Sequence, residues 1–225
     1  MVMNMKKWIR TACIFAVLLL SLCGCGSGGS SRGADASGKT EAEDTGSNIV
    51  TVKKDGVIIS TLEEAFAGEY FDEETLKQFV LQEAADYNAE AGGDKVVVKK
   101  LEIKKERASL TMEYRTAEDY AGFNRYPFFY GTVAEAYEAG YDLDVTFTEA
   151  NGKTGEDGEG PSIGKSELLT MGSRRIIIAQ VPKQENLTVK TSGKILYING
   201  AELIKKNMAS AGSDTDVITA YIVFK

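Results

Sequence analysis

Ile49-Val50-Thr51-Val52-Lys53-Lys54-Asp55-Gly56-Val57-Ile58-Ile59 sets two short β-branched runs on either side of an Asp-Gly pair. Val and Ile are stiff at Cβ and favour extended backbone, and Asp-Gly supplies the conformation that a tight turn needs. The stretch therefore predicts a β-hairpin. The pattern returns at residues 96–104 and 108–114. Val96, Val98, Leu101 and Ile103 are the apolar points of the first strand, and Leu110, Met112 and Tyr114 those of the second. The second strand alternates cleanly, which predicts a sheet with one face in water.

Further strands are expected at 143–148, 174–181, 187–190, 194–198 and 217–224, with turns at Gly193 and Asn199-Gly200. Residues 201–208 read either as another strand or as a short helix. Thr61-Leu62-Glu63-Glu64 reads either as a capping box opening one helical turn or as a continuation of the preceding strand.

The clearest helix is 72–91: Asp72 can cap it, Glu73 and Glu74 suit the positive end of its dipole, and Leu76, Phe79, Val80, Ala84 and Tyr87 fall near one face. Gly92-Gly93 ends it. Two short helices are expected after Thr116 and after Thr132, the second stopping at Gly140. Hairpin signals outnumber strand–helix–strand alternation, so the expected fold is α+β: a mostly antiparallel sheet of several hairpins packed against one main helix and two short helices.

Between the short helices lies Tyr126-Pro127-Phe128-Phe129-Tyr130, the densest aromatic cluster in the chain, extended by Tyr137 and Tyr141. Tyr126, Phe128, Phe129 and Tyr130 read either as core packing or as a recognition surface for a sugar ring or a partner protein. Residues 151–165 form a Gly-rich acidic loop, either a surface loop or a seam within the domain. Glu156-Asp157-Gly158-Glu159 lacks the alternating ligand ladder of an EF-hand, so no metal site is expected there.

Composition narrows the chemistry. The chain has no histidine, which removes histidine-based triads and imidazole metal sites. Gly-x-Gly-x-x-Gly and Walker patterns are missing from any strand-to-helix context, and Ser192-Gly193-Lys194 lacks the Ser-x-x-Lys spacing of penicillin-recognising enzymes. No cofactor is expected. Net charge is −7, with 33 Asp and Glu against 26 Lys and Arg and no dense basic block in the globular part, so nucleic acid is not an expected partner.

At the front of the chain, Lys6, Lys7 and Arg10 precede an uncharged apolar run from Thr11 to Cys23, the pattern of a secretory signal peptide and shorter than a membrane span. The run ends Leu22-Cys23-Gly24-Cys25, which resembles the lipobox of bacterial lipoproteins: an aliphatic residue, two small positions, then the cysteine that receives lipid. That resemblance implies cleavage after Gly24 and a diacylglyceryl group on Cys25, the only covalent group expected.

The chain as a whole resembles the small lipoproteins of Gram-positive bacteria. Residues 1–24 are then signal peptide, 25–48 the lipidated cysteine with a disordered Gly/Ser/acidic tether, and 49–225 a single α+β domain. The expected address is the extracytoplasmic face of the cell membrane, with contact to the bilayer through the lipid alone. The expected role is a non-catalytic binding domain for an envelope protein or glycan. The alternatives are an envelope enzyme using carboxylate or Tyr/Lys chemistry, and a small solute-binding component.

Overall fold

A computed structural model describes residues 47–66, 72–150 and 161–225. The signal sequence, Cys25, most of the tether and the 151–160 part of the acidic loop lie outside them. The described chain is α+β: two mostly antiparallel sheets with four helices.

The opening hairpin forms as read, with β1 (Ser47–Val52) antiparallel to β2 (Ile58–Ala65) and Gly56 at φ 89° in the turn. Thr61 to Glu64 continue the strand. The helix α1 (Glu73–Ala91) is capped by Asp72, which accepts from the Glu74 and Thr75 backbone N–H groups, and it stops at Gly92 with φ 72°. These hydrogen bonds, those to Thr75 foremost, hold the Asp72 carboxyl below its usual range. Asn88 then ties the helix to β3 (Val96–Lys104). Its Oδ1 accepts from Lys95 N at 2.9 Å and Val96 N at 2.8 Å, and its Nδ2 donates to Val96 O at 2.8 Å.

β3 pairs with β4 (Arg107–Tyr114), which pairs in turn with β2. Along β4 the residues Ala108, Leu110, Met112 and Tyr114 are buried, and those between them are partly exposed. β3 carries its apolar residues first at even and then at odd positions. The ladder explains the change of phase: Val98 faces Met112 and Lys100 faces Thr111, leaving Lys99 as an extra residue. Such a bulge restores Leu101 and Ile103 to the side occupied by Val96 and Val98.

The remaining elements are α2 (Ala117–Asn124), β5 (Phe128–Thr132), α3 (Val133–Glu138), β6 (Phe147–Glu149), β7 (Ser162–Ile163), α4 (Lys165–Thr170), β8 (Arg175–Val181), β9 (Glu185–Lys190), β10 (Ile195–Asn199), β11 (Glu202–Lys205), β12 (Met208–Ser213) and β13 (Ile218–Phe224). The strands order as β11-β12-β9-β1-β2-β4-β3 in one sheet and β5-β8-β13-β10-β6-β7 in the other. All pairings are antiparallel except β1 with β9, where Ile49 lies beside Thr188.

Several expectations are corrected here. The strands divide between two sheets rather than one. Three short helices are present among the described residues, the third, α4, in a stretch for which no element was expected. The aromatic cluster lies between α2 and α3 as expected, and its last three residues, Phe128 to Tyr130, open strand β5. The strand expected at 143–148 is reduced to β6, because Asp142 Oδ1 accepts from Asp144 N at 2.9 Å and turns the chain aside before Phe147. Residues 201–208 take the strand alternative as β11 and turn into β12, a strand that was not expected.

Two apolar clusters account for the division. The larger brings together the inward residues of the first sheet (Val50, Ile58, Leu110, Tyr114), α1 (Val80, Ala84), α2 (Tyr120, Phe123) and one face of the second sheet (Phe128, Ile177, Ile222, Phe224). The smaller lies on the opposite face of the second sheet, where Ile176, Ile178, Tyr221 and Val223 meet Val133 and Ala136 of α3 and Leu168 of α4. The second sheet is thus covered on both faces, and its central strands β8 and β13 are almost continuously apolar.

Deleting Lys99 should preserve the fold. The shortened strand reads as a regular alternation that keeps the existing partners of Leu101 and Ile103, so thermal unfolding measured by circular dichroism stays cooperative, with a midpoint close to that of the parent. Deleting Thr111 from the regular strand β4 forces one buried pair, Ala108 with Leu110 or Met112 with Tyr114, onto the wet face. That costs several times the roughly 2–5 kcal/mol of one large-to-small core substitution and abolishes the cooperative transition.

Candidate functional site

The inward face of the first sheet and the α2–β5 region leave a cleft between them, walled on one side by Phe79, Val80 and Glu83 of α1 and on another by residues 180–187. Its floor is aromatic. Tyr114 of β4 meets Tyr120 edge-on at a centroid distance of 5.0 Å, Tyr120 meets Phe128 edge-on at 4.8 Å, and Phe123 lies tilted against Tyr114 at 5.7 Å. Edge-to-face pairs of this kind are worth about 0.5–1.5 kcal/mol each beyond burial, so the floor is a rigid platform.

The sequence places these rings by simple means. Thr116 caps α2 by accepting from Asp119 N at 3.1 Å, and the helix then puts Tyr120 and Phe123 one turn apart on its buried side. The second wall is fixed by a close approach: a Cβ on Gly212 would lie 1.9 Å from Asn186 Oδ1 and 2.8 Å from Glu185 O. Only glycine lets β12 pass beneath these two lining residues.

Polar groups converge on the aromatic floor. Ser60 Oγ donates to Tyr114 Oη at 3.4 Å. The Tyr120 ring is buried, and burial, the dominant cause, together with the nearby Tyr114, Glu185 and Tyr126 groups, pushes its hydroxyl well above the ordinary phenol range. Among the described residues the Tyr120 hydroxyl makes no hydrogen bond. A buried hydroxyl without a partner costs about 1–3 kcal/mol, which makes it conspicuous in an otherwise well-packed wall. Asn48, Asn124, Asn186 and Gln180 stand around the mouth with Glu83 and Glu185. Among the described residues no lysine or arginine lines the cleft. Its interior holds about 50 Å³ of water-accessible space, a slender slot rather than a chamber.

The predicted aromatic residues are dealt to two faces by the two-residue period of β5. Phe128 is buried and lines the cleft; Tyr126, just before the strand, stands half-buried at its mouth. Tyr130 points to the same side as Phe128, stacked on Phe224 at 6.3 Å with the Arg175 guanidinium 5.4 Å from its ring centroid. Phe129 faces the opposite side, against Tyr141 at 4.8 Å. Tyr137 is exposed, with the Lys165 ammonium 5.4 Å from its ring centroid. Cys25 lies outside the described residues.

Comparison of the chain with family models, curated proteins and solved structures gave no match. The site is therefore read from its own chemistry. Tyr120, Glu83, Glu185 and Gln180 carry no sequence signal for a site, and Tyr114 reads from the sequence only as an apolar point of its strand. For Tyr120 the local sequence shows only a place one turn into a well-capped helix. Nothing local links that helix to β2, β4 or residues 180–187, because the link exists only once two sheets face each other. A second, more open hollow on the outer face of the second sheet is lined by Tyr141, Ile178, Thr219 and Tyr221 and shares Pro127 and Gln180 with the cleft. Burial raises both tyrosines above their usual range, with smaller contributions from Glu118 at Tyr141 and from Asp142 at Tyr221.

Two outcomes are expected. Gly212→Ala, which drives a methyl into Asn186 and the Glu185 carbonyl, lowers stability by about 1–3 kcal/mol in chemical denaturation. The raised phenol of Tyr120 gives folding stability that is fully present below pH 10.0, the ordinary tyrosine value, and is lost as pH climbs above it. In Tyr120→Phe the alkaline fall in unfolding free energy is shallower than in the parent, as read by denaturant titration across that range.

Proposed function

We propose that the protein is a lipid-anchored binding protein of the extracytoplasmic face of the membrane, and that the cleft floored by Tyr114, Tyr120 and Phe128 is where it engages its ligand. The address rests on Lys6, Lys7 and Arg10, the uncharged run behind them, and Leu22-Cys23-Gly24-Cys25. Among the described residues no helix is long and apolar enough to cross a membrane.

The observation that carries the binding role is the unpartnered Tyr120 hydroxyl on an aromatic floor, ringed by amides and carboxylates. Buried polar groups are ordinarily satisfied, so such a group in the wall of a cleft favours an occupant that supplies the missing hydrogen bond. Binding is favoured over Tyr/Lys catalysis because the Tyr120 hydroxyl is pushed up and keeps its proton near neutral pH, and because no lysine stands in the described lining to serve as base or nucleophile. Tyr126 and Phe128 of the aromatic cluster contribute to this surface, while Phe129 and Tyr130 support it from the strand.

Two measurements test the reading. Mass spectrometry of the membrane fraction should find an N-terminal Cys25 carrying a diacylglyceryl group, and Cys25→Ala should leave the membrane fraction; a bare Cys25 with the leader retained overturns the address. Amide hydrogen exchange of the purified chain, with and without a solubilised envelope extract, should show slowed exchange at residues 124–128 and 180–187. Slowing elsewhere only, or none, overturns the assignment of the site.

A further inference from the structure

The hollow on the outer face of the second sheet carries a chemistry of its own: we infer that it binds a single neutral sugar ring, independently of the cleft. Its floor follows from strand register. Gln180 of β8 pairs with Thr219 of β13 and Ile178 with Tyr221, so the two-residue period sends all four side chains to one face. The Gln180 N–H donates to Pro127 O at 2.9 Å and brings Pro127 alongside, and Tyr141 completes the lining. Both phenol rings are braced: Tyr141 lies against Phe129 at a centroid distance of 4.8 Å, and Tyr221 meets Phe147 edge-on at 5.8 Å. A ligand therefore meets side chains that are already ordered, which lowers the cost of binding.

Four side chains with hydrogen-bonding ends share this lining: Tyr141, Tyr221, Thr219 and Gln180. Among the described residues none of the four ends makes a hydrogen bond, although Tyr221 is only 7% exposed. Each hydroxyl both donates and accepts, and the amide offers two donors and an acceptor, so a matching ligand carries several hydroxyls on a compact frame. Pro127 and Ile178 supply apolar contact for the C–H face of such a frame. No charged side chain stands in the lining, and Glu118 and Asp142 are close enough to Tyr141 and Tyr221 to raise their phenols. An anionic ligand is thus repelled without compensation, and a cationic one finds no carboxylate within the hollow itself. The water-accessible space is about 200 Å³, against about 50 Å³ in the cleft, so a six-membered ring has room here and not there.

NMR titration of the isotope-labelled full chain with N-acetylglucosamine and with the methyl β-glycosides of glucose and galactose, at millimolar concentration, should move the amide signals of Tyr141, Ile178, Gln180, Thr219 and Tyr221. Glucuronic acid and glucose 6-phosphate should bind more weakly, and cyclohexanol, which has the ring with one hydroxyl, should not bind. Thr219→Val and Tyr221→Phe keep side-chain shape and should each weaken sugar binding about three- to tenfold, the range set by one hydrogen bond, with the thermal midpoint as the check on folding. Tighter binding of the N-acetylglucosamine tetramer than of the monomer identifies a glycan chain as the source, and no gain identifies a free monosaccharide; either supports the inference. No response to any neutral sugar, an equal response to glucuronic acid or cyclohexanol, or unchanged affinity in both variants overturns it. So do shifts at Tyr120, Phe123 and Leu187 in place of those at the hollow. These last residues report on the cleft, so failure of the hollow and failure of the cleft as a binding site are read separately.

Discussion

A run of aromatic rings holds the parts of this molecule in place. Tyr87 of α1 meets Phe123 of α2 at 5.7 Å, Phe123 meets Tyr114 of the first sheet at 5.7 Å, Tyr114 meets Tyr120 at 5.0 Å, and Tyr120 meets Phe128 of the second sheet at 4.8 Å. One contiguous series thus touches the main helix, a short helix and both sheets. Ring pairs have preferred edge-to-face geometry, so the series fixes angles as well as distances. Between layers of aliphatic side chains, which pack in many ways, such a series selects one arrangement. The cleft is a by-product of that selection, since the rings that join the sheets are the rings that floor it.

Local rules carried much of the fold into view. Asp72, Thr116 and Thr132 open helices, Gly92 closes one, and Asp55-Gly56 turns the first hairpin; each acts within a few residues through a hydrogen bond or a backbone angle. The reading failed where the deciding partner is remote. Strict alternation in β4 correctly announced a wet face, but the nearly unbroken apolar runs of β8 and β13 announced a sheet covered on both sides, and with it a second sheet. That signal lies in Ile176 to Ala179 and in Tyr221 to Phe224. Residues 201–208 hid a hairpin because β11 is short and half polar, with pairing to β12 supplying what its own sequence lacks.

The candidate site was only half legible for the same reason. Aromatic density drew attention to Tyr126 and Phe128 but also to Phe129, which the pleat of β5 sends to the opposite face, and to Tyr130, which shares the face of Phe128 but stacks on Phe224 outside the cleft. Composition excluded histidine chemistry outright. The charged and amide lining, Glu83 from one helix and Glu185 and Asn186 from a strand a hundred residues on, assembles only in three dimensions, and so does the isolation of the Tyr120 hydroxyl.

The parallel pairing of β1 with β9 has a kinetic side. β1 sits between β2 and β9, and its second neighbour arrives only when the chain has been made or delivered as far as Thr188. Closing so long a loop is slow, and until it closes β1 shows an unpaired edge on the side away from β2. A chain made from its N-terminus therefore holds β1 paired on one side alone until Thr188 has been added, so the contact that completes this sheet is among the last to form.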